Sequence, residues 1–62
     1  MNPEPYFSKL MKKRISLLTE RLKNSEEENY DKVLALFAIE YGLTDKKVRE
    51  YFKLISASGL LN

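Results

Sequence analysis

The chain contains no cysteine and no histidine. The first absence removes disulfides and thiolate nucleophiles. The second removes the imidazole general base, and both together remove the donor sets of nearly every zinc site. Only two glycines and two prolines occur, too few for the turns of a β-sandwich or barrel. The longest apolar run, 33–39, is seven residues, far below the ~20 needed to span a bilayer as a helix. No basic-then-apolar leader opens the chain. There is also no pair of carboxylates, phosphate-cradling loop or nucleophile–base spacing that would mark a reaction centre. These absences lead us to expect a cytoplasmic binding module rather than an enzyme, with no cofactor, no metal, no membrane partner and no evident small-molecule substrate.

What is present fits one small domain. A 62-residue chain buries only ~60% of its unfolded surface, so its core must be economical. Hydrophobic residues make up 44% and charged residues 32%, a globular composition with a heavily charged surface. The net charge of +2 is unevenly spread. Residues 1–24 carry Lys9, Lys12, Lys13, Arg14, Arg21 and Lys23 against Glu4 and Glu20. Residues 25–40 are acidic, with Glu26, Glu27, Glu28, Asp31 and Glu40 against Lys32. Residues 41–62 turn basic again through Lys46, Lys47, Arg49 and Lys53. Basic ends around an acidic middle suit a polyanionic partner better than an evenly mixed surface does.

The periodicity predicts an all-α domain of three helices. Residues 1–5 form a lead-in, because Pro3 and Pro5 disfavour helix at Asn2 and Glu4. A first helix is expected over about 6–23, where Phe7, Met11, Ile15, Leu18 and Leu22 form one apolar stripe. Lys9, Lys12 and Lys23 lie opposite it. Leu10 and Leu17 form a second, narrower ridge beside Arg14 and Arg21. Asn24 and Ser25 end this helix, and the acidic stretch 26–29 suits the start of the next. The second helix is expected over about 28–41 and is apolar nearly all round. Ala35 and Ala38 favour helix over a buried strand. Gly42 then caps it in the left-handed conformation. Thr44 is an N-cap, with Leu43 placed as a hydrophobic staple toward Val48. The third helix, about 45–57, carries Val48, Tyr51, Phe52 and Ile55 on one face and stops at Ser58 and Gly59. Leu60 and Leu61 then fold back on the core.

The stretch 34–53, LALFAIEYGLTDKKVREYFK, resembles the helix-turn-helix of DNA-binding proteins. Ala38 stands four residues before Gly42, where a small side chain lets two helices cross closely. Gly42 occupies the turn, where positive φ is wanted. Leu43 follows it, and Val48 stands where the family places its apolar plug. Three positions beyond the plug the family usually has a β-branched residue; here it is Tyr51. The continuation through Ser58, Gly59, Leu60 and Leu61 is similar to winged-helix regulators, whose wing has no counterpart before Asn62. That leaves a wingless version or a piece of a longer protein. The resemblance covers about half the chain. It implies a three-helix bundle with a helix-turn-helix formed by helices 2 and 3, the third lying in the major groove of double-stranded DNA.

On that reading Lys46, Arg49 and Lys53 share one stripe at i, i+3 and i+7, opposite Val48 and Ile55. Arg49 is the base reader, because its fork matches guanine bidentately. Lys46, Lys47 and Lys53 contact phosphates, Thr44 crowds the helix start, and Lys12 and Lys13 add backbone contacts from helix 1. By itself, such a stripe is most often an ordinary solvated face. Glu50 weakens it, either alone or as an i,i+4 pair with Lys46. Tyr30, Tyr41 and Tyr51 at helical spacing beside Val33, Phe37 and Phe52 read as core rather than base-stacking residues. The run 26–28 reads as a solvated helix start rather than a cation site.

Two functions remain open on the sequence. One is a small DNA-binding protein, a transcriptional regulator or a replication or nucleoid accessory factor. The other is a helical interaction or oligomerisation module that never touches DNA. Helix 2 offers Leu36 and Ile39 on one side and Val33, Leu34 and Phe37 on the other, more than two neighbouring helices cover. Together with Leu10 and Leu17, this surplus points to a homodimer under either.

Overall fold

A computed structural model describes residues 9–61. Three α-helices pack against one another, and no strand occurs among the described residues. Helix α1 spans Lys9–Lys23, α2 spans Tyr30–Tyr41 and α3 spans Asp45–Ala57. A single 3-10 turn over Glu27–Asn29 leads into α2. The expected lead-in and the helical start at Tyr6 and Phe7 lie outside the described residues, as does Asn62. The all-α three-helix bundle expected from the sequence is the architecture found.

The core is small and comes from all three helices. Leu18 and Leu22 of α1, Leu34 and Phe37 of α2, and Val48, Tyr51 and Ile55 of α3 are buried together. In each helix the buried residues recur at three- or four-residue intervals, the spacing that keeps them on one face. Tyr51 is only 4% exposed, so an aromatic ring fills the space where the resembled family usually has a β-branched side chain. Tyr30 meets Phe52 edge-on, with ring centroids 5.8 Å apart. Phe37 and Tyr41 tilt against each other at 4.6 Å. Such aromatic pairs add to the area they bury. The one buried polar side chain among the described residues, Thr19, donates its hydroxyl to the Ile15 carbonyl at 2.7 Å.

Both glycines close helices by the same hydrogen-bond pattern. At Gly42, φ is +66°. The Leu43 N–H donates to the Ala38 carbonyl at 2.8 Å, and the Gly42 N–H donates to Ile39 at 3.4 Å. At Gly59, φ is +72°. There the Leu60 N–H reaches the Ile55 carbonyl at 3.3 Å, and the Gly59 N–H reaches Ser56 at 3.1 Å. These paired bonds are the Schellman closure, which needs one residue in the left-handed region. Of the two leucines after Gly59, Leu61 packs on the core, while Leu60 stays largely exposed.

Helix α2 meets water over about half its circumference. Leu36 is 64% exposed and Ile39 is 78% exposed, and Ala35, Lys32 and Glu40 share that side. The apolar run therefore splits, with Leu34 and Phe37 inward and Leu36 and Ile39 outward. Leu10 on α1 is also largely exposed, but Leu17 is half-buried against the core.

Candidate nucleic-acid interface

The candidate interface is the outer face of α3 and the turn that precedes it. Gly42 reverses the chain within three residues, so α3 starts beside the C-terminal end of α2. The Thr44 hydroxyl oxygen accepts the Lys47 N–H at 3.0 Å, satisfying one of the orphan donors of the first turn. Thr44 is thus a cap first, and its side chain is committed to holding the helix start. Val48, Tyr51 and Ile55 turn inward. By the helical period, Lys46, Arg49 and Lys53 must then face water, and all three are exposed.

The cations on this face differ in their partners. The Arg49 Nε–H donates to Asp45 Oδ2 at 3.0 Å, one turn earlier on the same helix. Its Nη2 lies 3.7 Å from Asp31 Oδ1, which comes from the first turn of α2. Lys47 Nζ is 3.8 Å from Glu50 Oε1. Of the spacings open to Glu50, the i,i+4 pair with Lys46 does not form and the i,i+3 pair with Lys47 does. Lys46 and Lys53 form no ion pair among the described residues. Such exposed pairs are worth ~0.2–1 kcal/mol each, so they orient side chains without locking them.

Lys12 and Lys13 sit elsewhere. Lys12 lines an open groove between α1 and the C-terminal half of α3, floored by Ile15, Leu54 and Leu60. Lys46 and Lys47 are seven or more residues back along α3, which at ~1.5 Å per residue puts them over 10 Å away along its axis. Lys13 is exposed next to Lys12 on α1. The structure puts Lys46, Lys47, Arg49 and Lys53 on α3 with Thr44 as its cap, and Lys12 and Lys13 on α1. Lys12 is far from Lys46 and Lys47, but it lies on the groove that Leu54, the neighbour of Lys53, also lines.

Two arginines counted toward the basic N-terminal field have structural work instead. Arg21 holds Glu40 of α2 through two parallel bonds, Nη1 to Oε1 at 2.7 Å and Nη2 to Oε2 at 3.0 Å. Its guanidinium also lies over the Phe37 ring, 5.4 Å from the centroid. Arg14 lies over the Tyr41 ring at 5.5 Å, and its Nε is buried without a hydrogen-bond partner. Hydrogen bonding to Arg21 holds the Glu40 carboxyl below its ordinary range and raises Arg21 in turn. Nothing in the sequence pairs residues 19 positions apart. The Asp45–Arg49 pair, by contrast, is visible as an i,i+4 spacing.

Tyr30 and Tyr41 are half-buried and Tyr51 is buried, so none of them offers an open ring face on α3. The acidic run at 26–28 lies exposed around the 3-10 turn. Among the described residues no cluster of three potential ligands could hold a metal ion. No helix among them is long and apolar enough to cross a membrane.

Comparison with protein-family models, with curated proteins and with solved structures finds no match to this chain. Its likeness to helix-turn-helix proteins therefore rests on Ala38, Gly42, Leu43 and Val48 and on the turn that they build.

Proposed function

We propose that this chain is a small DNA-binding protein of helix-turn-helix type that presents α3 to the major groove of double-stranded DNA. The supporting observation is the arrangement of α3. The helix is fixed inward by Val48, Tyr51 and Ile55 and carries Lys46, Arg49 and Lys53 outward along one exposed stripe. A groove-entering helix needs cations that bond phosphates and a side chain that can read a base edge. Lys46 and Lys53 supply the first and Arg49 the second. The short Schellman turn at Gly42 ties the orientation of α3 to α2, as a reading helix requires. A regulator or a replication or nucleoid accessory factor fits this design.

The test is fluorescence anisotropy of a labelled random duplex at two salt concentrations. Binding in the range of ~10⁻⁴–10⁻⁶ M that falls steeply with salt is expected of non-specific duplex contact. Failure to bind at low salt and high protein concentration would overturn the proposal.

A second reading, an oligomerisation module, has its own support in the side-by-side exposure of Leu36 and Ile39 on α2. Its partner is a second copy of this chain. Leu36 and Ile39 lie one turn apart on one face, so two α2 helices packed about Leu36 would cover both side chains of each copy. Self-association by itself also fits DNA binding, because a dimer offers two α3 helices to one duplex; the second reading is the one in which the dimer touches no DNA. Sedimentation equilibrium, read beside the duplex titration, separates the two readings. Self-association lost in Leu36→Asp, together with duplex binding that never appears, would leave the module alone.

A further inference from the structure

The guanidinium of Arg49 makes one hydrogen bond, through Nε, and its two terminal nitrogens make none among the described residues. Asp45 accepts from Nε at 3.0 Å, and Asp31 stands 3.7 Å from Nη2. The Nε bond anchors the side edge of the fork, and the Asp31 carboxylate stands beyond hydrogen-bond distance as a negative charge beside Nη2. The end edge, with its two parallel N–H groups on Nη1 and Nη2, makes no hydrogen bond among the described residues. That end edge is the one that matches the O6 and N7 acceptors of guanine in the major groove.

The two carboxylates come from different helices. Asp45 is the first residue of α3, and Asp31 lies in the first turn of α2. A side chain held only by its own helix could still swing about its remaining torsions. One bonded to its own helix and also drawn toward a carboxylate of α2 is biased toward one orientation at the crossing of α2 and α3. An arginine so held loses less side-chain freedom when it meets a planar acceptor pair. The two aspartates also carry negative charge toward a polyanion, which costs affinity for every duplex equally.

From this geometry we propose that Asp31 and Asp45 are specificity-determining residues that act through Arg49. They orient its free edge toward one guanine, and they lower non-specific affinity at the same time. This rests on the DNA-binding reading above.

The test uses the whole chain and a randomised duplex pool enriched on it. In the enriched duplex each guanine is replaced singly by 7-deazaguanine, which lacks the N7 acceptor. For the unmodified protein, one such replacement weakens binding about tenfold, the scale of a bidentate base contact. Arg49→Ala abolishes that difference. Asp31→Asn combined with Asp45→Asn shrinks it below about threefold, while affinity for the random pool at low salt rises. Far-ultraviolet circular dichroism of the double variant must match the parent, since both aspartates sit in first turns. Without DNA, the Arg49 Nε–H should exchange with water faster in Asp45→Asn than in the parent.

The outcomes are distinct. Unchanged guanine discrimination in the folded double variant overturns the orienting role and leaves Arg49 as an unassisted reader. Discrimination surviving Arg49→Ala removes Arg49 from the site, and this inference with it, while DNA binding stands. A parent that binds no duplex at all overturns the proposed function itself.

Discussion

Arg21 and Glu40 join α1 to α2 through two parallel hydrogen bonds, 2.7 and 3.0 Å long, with the guanidinium lying over the Phe37 ring. Among the described residues this is the one bidentate ion pair, and the Phe37 ring under its guanidinium belongs to the core. Bidentate arginine–carboxylate geometry adds direction to charge. It fixes which side of α1 faces α2, a choice that the wide apolar surface of α1 leaves open.

The pair predicts acid sensitivity. The Glu40 carboxyl is held below its ordinary value of 4.5 by the bonds from Arg21. The folded state therefore binds this proton less readily than the unfolded chain does. Its contribution is complete above the ordinary glutamate range and is lost as pH falls through the lower, folded value. Thermal melts followed by circular dichroism from pH 7 to pH 3 should show a steeper acid decline in the parent than in Glu40→Gln. High salt should narrow the gap, since the pair is exposed. Parallel curves for the two proteins would mean that the pair contributes nothing to stability.

Leu34 and Leu36 offer a sharper contrast two residues apart. Leu34 is 2% exposed and packs in the core, whereas Leu36 is 64% exposed. Leu34→Ala removes buried methyl groups and opens a cavity, at a cost of ~2–5 kcal/mol. For so small a domain that is most of its stability. Leu36→Ala should stay within ~0.5 kcal/mol in dilute protein. Urea unfolding of both variants reads the difference, and equal midpoints would place the face of α2 wrongly.

That contrast also marks what the sequence could reveal. The stripe through Met11, Ile15, Leu18 and Leu22, the cap at Thr44 and the left-handed Gly42 are local signals, and each lies where its spacing indicates. The inner face of α2 was not legible, because seven successive apolar residues carry no polar mark to show which side faces water. In the sequence Arg21 and Arg14 look like part of a basic field, because their aromatic and acidic partners lie on another helix. For the candidate interface, the exposed stripe of α3 followed from periodicity alone. The second carboxylate on Arg49 comes from α2 and needed the fold.

Gly42 gives a test of backbone rather than contact. A Cβ added there meets no atom within 4 Å, yet φ is +66°. Gly42→Ala should therefore cost ~1–2 kcal/mol through left-handed strain, with no clash to add. Gly42→Asn should cost less, since asparagine tolerates that region. Chemical denaturation of the two variants checks the order. An alanine variant as stable as the parent would show that the turn has relaxed to another conformation.

Lys46, Lys47 and Lys53 separate under the DNA-binding proposal by their partners. Lys46 and Lys53 have no ion-pair partner among the described residues, so each can neutralise a phosphate without first leaving a carboxylate. Replacing either by alanine should flatten the slope of log affinity against log salt by ~0.9. Lys47 differs, because its ammonium lies 3.8 Å from Glu50. Lys47→Ala leaves that carboxylate facing the duplex unscreened, so it should weaken binding more than Lys46→Ala does. Glu50→Gln should strengthen binding to all sequences alike. Anisotropy titrations of these four variants at three salt concentrations give both quantities. If the slopes of Lys46→Ala and Lys53→Ala match the parent, the exposed stripe of α3 does not face the phosphates.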